Sequence, residues 1–257
     1  MKMTLDQYIL NPMGRKNAVM NAVAREAIAS DYLKRYAQVM MREHSNIGYF
    51  FFKDEKRNKY VAHIKIPSEV VPKFYYDVVL EFTTDQNVTA GGQDLFKYNC
   101  RFFSNDPAFV YTYAYVFNND ELFIDYLRSK MSRKALHDTP NEKNPSQSVG
   151  YVKSIYFAYL FMKARDFNKV NIFSPLAKKY SLSELTKSIE HADDKVAARI
   201  EAGNKIAKKK SAVAKKEKLE EKITNKVNSV IGRAGNIGKI GTISKKSKIT
   251  ATKSNRK

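Results

Sequence analysis

Lysine clusters near the C-terminus of this 257-residue sequence are its most chemically pointed feature. Lys208-Lys209-Lys210 and Lys215-Lys216-x-Lys218 lie close together. Arg233 and Lys239 follow, then Lys245-Lys246-x-Lys248, Lys253, Arg256 and Lys257. Cationic groups on a solvated chain neutralise phosphates, and each neutralised phosphate releases counterions. These side chains are therefore the expected contact set for nucleic acid, DNA and RNA alike, with steep salt dependence and no single register. No Tyr or Phe follows Tyr180, and the chain has no Trp, so the segment offers no platform for stacking bases. Lysine outnumbers arginine there, which disfavours bidentate reading of base edges. The expected binding is without sequence preference.

Residues suited to catalysis or metal binding are scattered. His44, His63, His137 and His191 share no ligand spacing, and no Cys-rich metal pattern exists, so no metal, cofactor or catalytic residue is expected. His63 falls on an alternating segment and reads as a packed or surface strand residue. Cys100 alternates with Tyr98 and Phe102 and reads as a small buried side chain. Being single, it excludes an intrachain disulfide and fits a reducing compartment. Asp77 and Glu81 share one strand face but lack the Glu-x-Lys pair of a nuclease metal site. Asp193-Asp194 reads as a solvated face, and no Gly-x-Ser-x-Gly elbow is present.

Two glycine motifs invite chemistry and are better read as loops. Gly91-Gly92-Gln93 matches the tripeptide of peptide-chain release factors, but glycine supplies positive φ in any hairpin loop. Residues 232–241 place glycine at every third position. Arg233 stands where a phosphate loop needs its first glycine, and Ile240 where it needs Ser or Thr. A flexible linker is the expected form.

The elements that must carry these residues divide the chain physically. Residues 201–257 hold 17 Lys and Arg against 4 Glu, and residues 1–200 hold 29 Lys and Arg against 22 Asp and Glu. Every Tyr and Phe lies in residues 1–180, enough for one core. We expect a globular domain over 1–180, a charged helical segment over 181–228, and a flexible, disordered Gly- and Lys-rich tail over 229–257. No apolar run approaches the ~20 residues that span a bilayer. The first residues lack the apolar centre of a secretory signal, so an intracellular, soluble protein is expected.

Thr4-Leu5-Asp6-Gln7 has capping-box spacing and predicts a short helix ending before Asn11-Pro12. Apolar spacing predicts a long helix over 16–42. Five aromatic-rich strands follow: 49–52, 60–66, 74–82, 96–102 and 111–117. Strands in sequence without crossover helices form an antiparallel sheet. Their aromatics fall on core faces, and no RNP-like run accompanies them, so burial is expected rather than RNA stacking. Helices are predicted over 122–136 and 149–167, and from the capping-box spacing at Ser181 to about Lys226. The fold class is α+β.

Met3-Thr4-Leu5-Asp6-Gln7-Tyr8, Asn11-Pro12-Met13-Gly14 and the run from Phe103-Ser104-Asn105-Asp106-Pro107 through Tyr113-Ala114-Tyr115 resemble a group of uncharacterised tailed-bacteriophage proteins. The resemblance covers roughly residues 3–170 and brings no functional residue with it. It implies a viral protein acting in the host cytoplasm or the virion. The expected function is a non-enzymatic structural or assembly protein whose basic tail binds nucleic acid. One alternative is a head–tail or tail virion component, a homo-oligomer included, whose basic tail meets acidic protein surfaces. Another is an enzyme whose site would be a pocket lined by His63, Asp77 or Glu81.

Overall fold

In a computed structural model, which describes residues 2–10, 22–43, 47–54, 57–83, 94–140, 144, 147, 149–150, 152–169 and 181–234, the capping box at Thr4 forms. Gln7 N–H donates to Thr4 Oγ1 at 3.0 Å, and Thr4 N–H donates to Gln7 Oε1 at 2.9 Å. They open α1 (Leu5–Leu10). Tyr8 fixes this helix in the core. Its hydroxyl donates to Gly150 O at 3.0 Å and accepts from Val152 N–H at 2.9 Å. Its ring lies 4.8 Å from Phe102.

The long helix α2 (Ala22–Glu43) buries Val39 and half-buries Tyr32, Tyr36 and Met40, one stripe at helical spacing. The stripe meets α5 (Lys153–Lys163) through Tyr32–Tyr156 and Tyr36–Phe157 ring contacts of 5.9 and 5.5 Å. The expected start of α2 before Ala22 lies outside the described residues.

Strands β1 (Tyr49–Asp54), β2 (Lys59–Pro67), β3 (Tyr75–Thr83) and β4 (Asn99–Ser104) form one antiparallel meander in the order β1-β2-β3-β4. The register places Phe50 opposite His63, His63 opposite Val79, and Val79 opposite Phe103. One face carries Tyr60, Ala62, Ile64, Val78, Leu80, Phe82 and Phe102, all buried, and α5 packs against it. The other carries Val61, His63, Asp77, Val79, Glu81 and Phe103, and these are buried as well. Both faces of β2 and β3 are thus covered, and the polar members of the alternation sit inside the protein. Each fully buried Phe or Leu contributes about 1.5–3 kcal/mol relative to exposure.

The expected fifth strand is helical. Phe109–Tyr113 forms a π-turn, and α3 (Ala114–Asn119) continues it. Asp106 accepts from Ala108 N–H at 2.7 Å, and Pro107 occupies the first helical position. An N-cap aspartate followed by proline is a helix start. It overrides the two-residue spacing of Tyr111, Tyr113, Tyr115 and Phe117. The sheet therefore has four strands, and Leu95–Lys97 ahead of β4 is a 3₁₀ turn.

The helix expected over 122–136 forms as two pieces, a 3₁₀ segment (Asp125–Lys130) and α4 (Arg133–His137). Ser132 is extended and caps α4 by accepting from Ala135 N–H at 3.3 Å. The capping box at Ser181 forms with Glu184 and opens α6 (Leu182–Ser188). The continuous helix expected from there is interrupted. Ile189 is extended, and a second helix, α7 (Ala192–Ala234), begins with Asp193 and Asp194 in its first turn. Carboxylates favour that position because the helix dipole is positive there. The chain divides into two units, Met1–Ile206 and Ala207–Lys257.

Candidate functional site

Lys208, Lys209, Lys210, Lys215, Lys216 and Lys218 all lie on α7 and are exposed. Every side chain over residues 207–226 is exposed. An α-helix turns once per 3.6 residues, so residues seven apart nearly eclipse. Lys208, Lys215, Lys222 and Lys226 therefore form one stripe about 27 Å long. Glu217 and Glu221 lie about half a turn away on the opposite side. Lys216 pairs with Glu220 at 3.9 Å, and Lys205 with Glu201 at 2.6 Å. Exposed pairs of this kind contribute little and leave the ammonium groups accessible. The hydrogen bond and charge of Lys205 hold the Glu201 carboxyl below its ordinary range.

The helix brings Lys208 and Lys215 of the expected set onto one face with Lys222 and Lys226, and it spreads Lys209, Lys210, Lys216 and Lys218 around the other sides. Lys222 and Lys226 share the stripe with Lys208 and Lys215, and the seven-residue step from Lys208 to Lys215 to Lys222 was the available signal. Arg233 falls within the range of α7. Lys239, Lys245, Lys246, Lys248, Lys253, Arg256 and Lys257 lie outside the described residues, as do His44 and Gly91-Gly92-Gln93.

A second set of polar groups lies within the covered sheet face. His63 Nε2 is 2.8 Å from Asp77 Oδ1. Asn105 donates from Nδ2 to Asp77 Oδ2 at 2.9 Å, and its Oδ1 accepts from Asp77 N–H at 2.7 Å. Burial pushes the Asp77 carboxyl up, but His63, Asn105 and the charge of Lys195 together hold it below the ordinary range. Four residues along β3, Glu81 accepts from Lys59 Nζ at 2.7 Å. Among the described residues His63 Nδ1 and Glu81 Oε2 are buried with no hydrogen-bond partner. Burial pushes the Tyr126 phenol up, and the charge of Glu81 adds to it.

The shared face read for Asp77 and Glu81 is present, and His63 joins Asp77 on it. His63 is 0% exposed, so no ligand reaches it in this conformation. The dyad, with its carboxylate orienting an imidazole, has the parts of a general base. Its setting is that of a clamp between β2, β3 and the residue after β4. Cys100 is buried as expected, and burial pushes its thiol well up. His137 is exposed, and His191 is half-buried before α7. No group of three or more metal-type ligands occurs among the described residues.

A further polar cluster joins the sheet end to the first turns of α7. Asp106 is buried, and burial pushes its carboxyl up against the Ala108 N–H bond and the charge of Lys153. Ser104 Oγ lies 3.1 Å from Ser154 Oγ and accepts from Asp106 N–H at 3.1 Å. Lys195 sits 4.8 Å over the Phe74 ring. The serine pair ties β4 to α5, and the Lys195–Phe74 contact and the charge of Arg199 beside Asp106 bring in the first turns of α7.

Comparison with protein families, with characterised proteins and with solved structures returns no match, so the functional reading rests on this chain's own residues.

Proposed function

We propose that this is a non-enzymatic, phage-type structural or assembly protein whose lysine-rich C-terminal segment binds nucleic acid without sequence specificity. The observation that carries the reading is the fully exposed stretch of α7 with lysines repeating at two-turn steps. Duplex DNA presents one charge per about 1.7 Å of axis, far denser than lysines spaced about 10 Å apart, so the helix meets phosphates in any register. Without aromatics or paired arginines on the stretch, the contact is electrostatic and blind to sequence. The phage-type element of the proposal rests on the resemblance over residues 3–170. No helix among the described residues is long and apolar enough to cross a membrane.

Binding of full-length protein and of residues 1–206 to two unrelated duplexes tests this. Full-length protein should bind both equally, and truncation should weaken binding at least tenfold. Replacing Lys208, Lys215 and Lys222 by Gln should flatten the slope of log Kobs against log salt by about 2.7. Equal binding by the full-length and truncated proteins removes the tail from the mechanism.

A second reading, a virion component that assembles through protein contacts, is favoured by β1. Among the described residues it is the outermost strand of the sheet, and its Tyr49 and Phe50 are 42% and 46% exposed. Exposed aromatics are the kind of apolar surface that protein contacts bury. Formation of rings or ordered multimers by the purified protein supports it, and a monodisperse monomer that stays out of virions removes it.

A further inference from the structure

An open cleft of about 510 Å³ lies on the body, lined by Ser129, Lys130, Ser183, Thr186, Lys187 and His191. The first two come from the 3₁₀ segment, the next three from α6, and His191 from the break before α7. The walls are held from below, since Leu127, Leu185 and Ile189 are buried in the core. All six lining side chains are polar, three of them nitrogen donors and three hydroxyls, with no carboxylate among them. Three of the carboxylates next to the cleft in sequence are engaged elsewhere, while Asp193 and Asp194 sit in the first turn of α7 beyond His191. Glu184 accepts from Ser181 N–H at 2.7 Å, and Glu190 pairs with Lys195 at 2.6 Å. Asp125 is held by Arg101 and Arg128. Among the described residues neither Lys130 nor Lys187 forms an ion pair. His191 Nδ1 accepts from Asp193 N–H at 3.4 Å, which leaves Nε2 as the donor of the neutral ring.

We propose that this cleft binds a phosphate group. Two ammonium groups, an imidazole N–H and the Ser129 and Ser183 hydroxyls match an oxyanion whose several oxygens each accept more than one hydrogen bond, while the Thr186 hydroxyl donates to Leu182 O at 2.8 Å and only lines the wall. A carboxylate ligand offers fewer acceptors to the same donors. The cleft is larger than one phosphate and open to solvent, so it admits the group either on a nucleic-acid backbone or on a small phosphorylated molecule. In the first case the body adds a fixed phosphate contact to the sequence-blind contacts proposed for α7, and that arm alone rests on the proposed function.

The test uses full-length protein, its K130A/K187A variant and a K130R/K187R variant. Both lysines are at the surface, and equal melting temperatures establish that the variants fold. Pyrophosphate titrated into isotope-labelled protein should shift the backbone amides of Ser183, Thr186, Lys187 and His191. K130A/K187A should bind it at least tenfold more weakly, and K130R/K187R should retain binding. A 20-base-pair duplex titrated across a salt series identifies the source. If the duplex uses the cleft, the alanine pair flattens the log–log salt slope by about 1.8. If pyrophosphate binding depends on the two lysines while the duplex slope is unchanged, the cleft takes a small phosphorylated ligand. Pyrophosphate that leaves the four amides unmoved, or that binds the alanine pair as tightly as wild type, overturns the proposal. Failure of the tail reading shows separately, as duplex binding by residues 1–206 equal to that of the full chain.

Discussion

Replacing Asp77 by Asn keeps the shape of the His63–Asp77–Asn105 cluster and removes its charge. The substituted amide cannot accept from both His63 and Asn105 as the carboxylate does, so one buried donor loses its partner. A hydrogen bond to a charged group contributes about 1.5–3 kcal/mol, and D77N should cost that much at pH 7, read from urea unfolding. The pH dependence has a definite sign. The Asp77 carboxyl titrates below its unfolded value of about 3.9. Its contribution is therefore present above that value and is lost as pH falls through the folded one. The difference between wild type and D77N should shrink as pH falls from 5 to 2. A gap that stays constant across that range would mean that His63 does not hold a charged Asp77. The spacing of Asp77 and Glu81 on one face was legible in the sequence. That the face is buried was not, because the chain that covers it comes from distant segments.

Helix ends show where local sequence speaks and where packing decides. The capping boxes at Thr4 and Ser181 were legible because both partners lie within four residues. The end of α5 is as local, but its signal is atypical. Asp166 takes a left-handed φ of 54° where glycine is usual. Phe167 N–H donates to Met162 O at 2.8 Å and Asp166 N–H to Lys163 O at 3.3 Å, the two bonds of a Schellman motif. Phe167 also packs 6.0 Å from Phe161. Asp166→Gly should therefore stabilise the protein by about 0.5–1 kcal/mol, since glycine adopts positive φ without strain. The ion pair lost with Lys169 is exposed and offsets little of this. A raised urea midpoint with unchanged m-value is the expected result, and a lowered midpoint would show that the Asp166 carboxylate matters more than its backbone. The helix at Phe109–Asn119 teaches the opposite lesson. Alternating tyrosines mimic a strand there, and only the Asp106-Pro107 start signal separates the two periods.

At the scale of the whole molecule, stability and charge are carried by different parts of the chain. Among the described residues the last buried one is Val196, and all side chains over residues 207–226 are exposed. A helix with no buried face gains nothing from tertiary packing and stands on propensity and dipole terms alone. Its weak amphipathicity was legible in the sequence as sparse apolar positions. Its interruption after Ser188 was not, because the extended Ile189 is set by burial of that side chain in the core. Residues 1–206 retain Lys195, Val196 and the seat of α7, so truncation after Ile206 should leave the free energy of unfolding within about 0.5 kcal/mol of full length. The two proteins should differ instead in salt response. Removing a strongly basic segment lowers self-repulsion, so full-length protein should gain more stability from added salt than residues 1–206. Urea unfolding of both forms at 20 and 500 mM NaCl reads this directly. A large loss of stability on truncation would place structural contacts in the C-terminal unit and would weaken its assignment to phosphate binding.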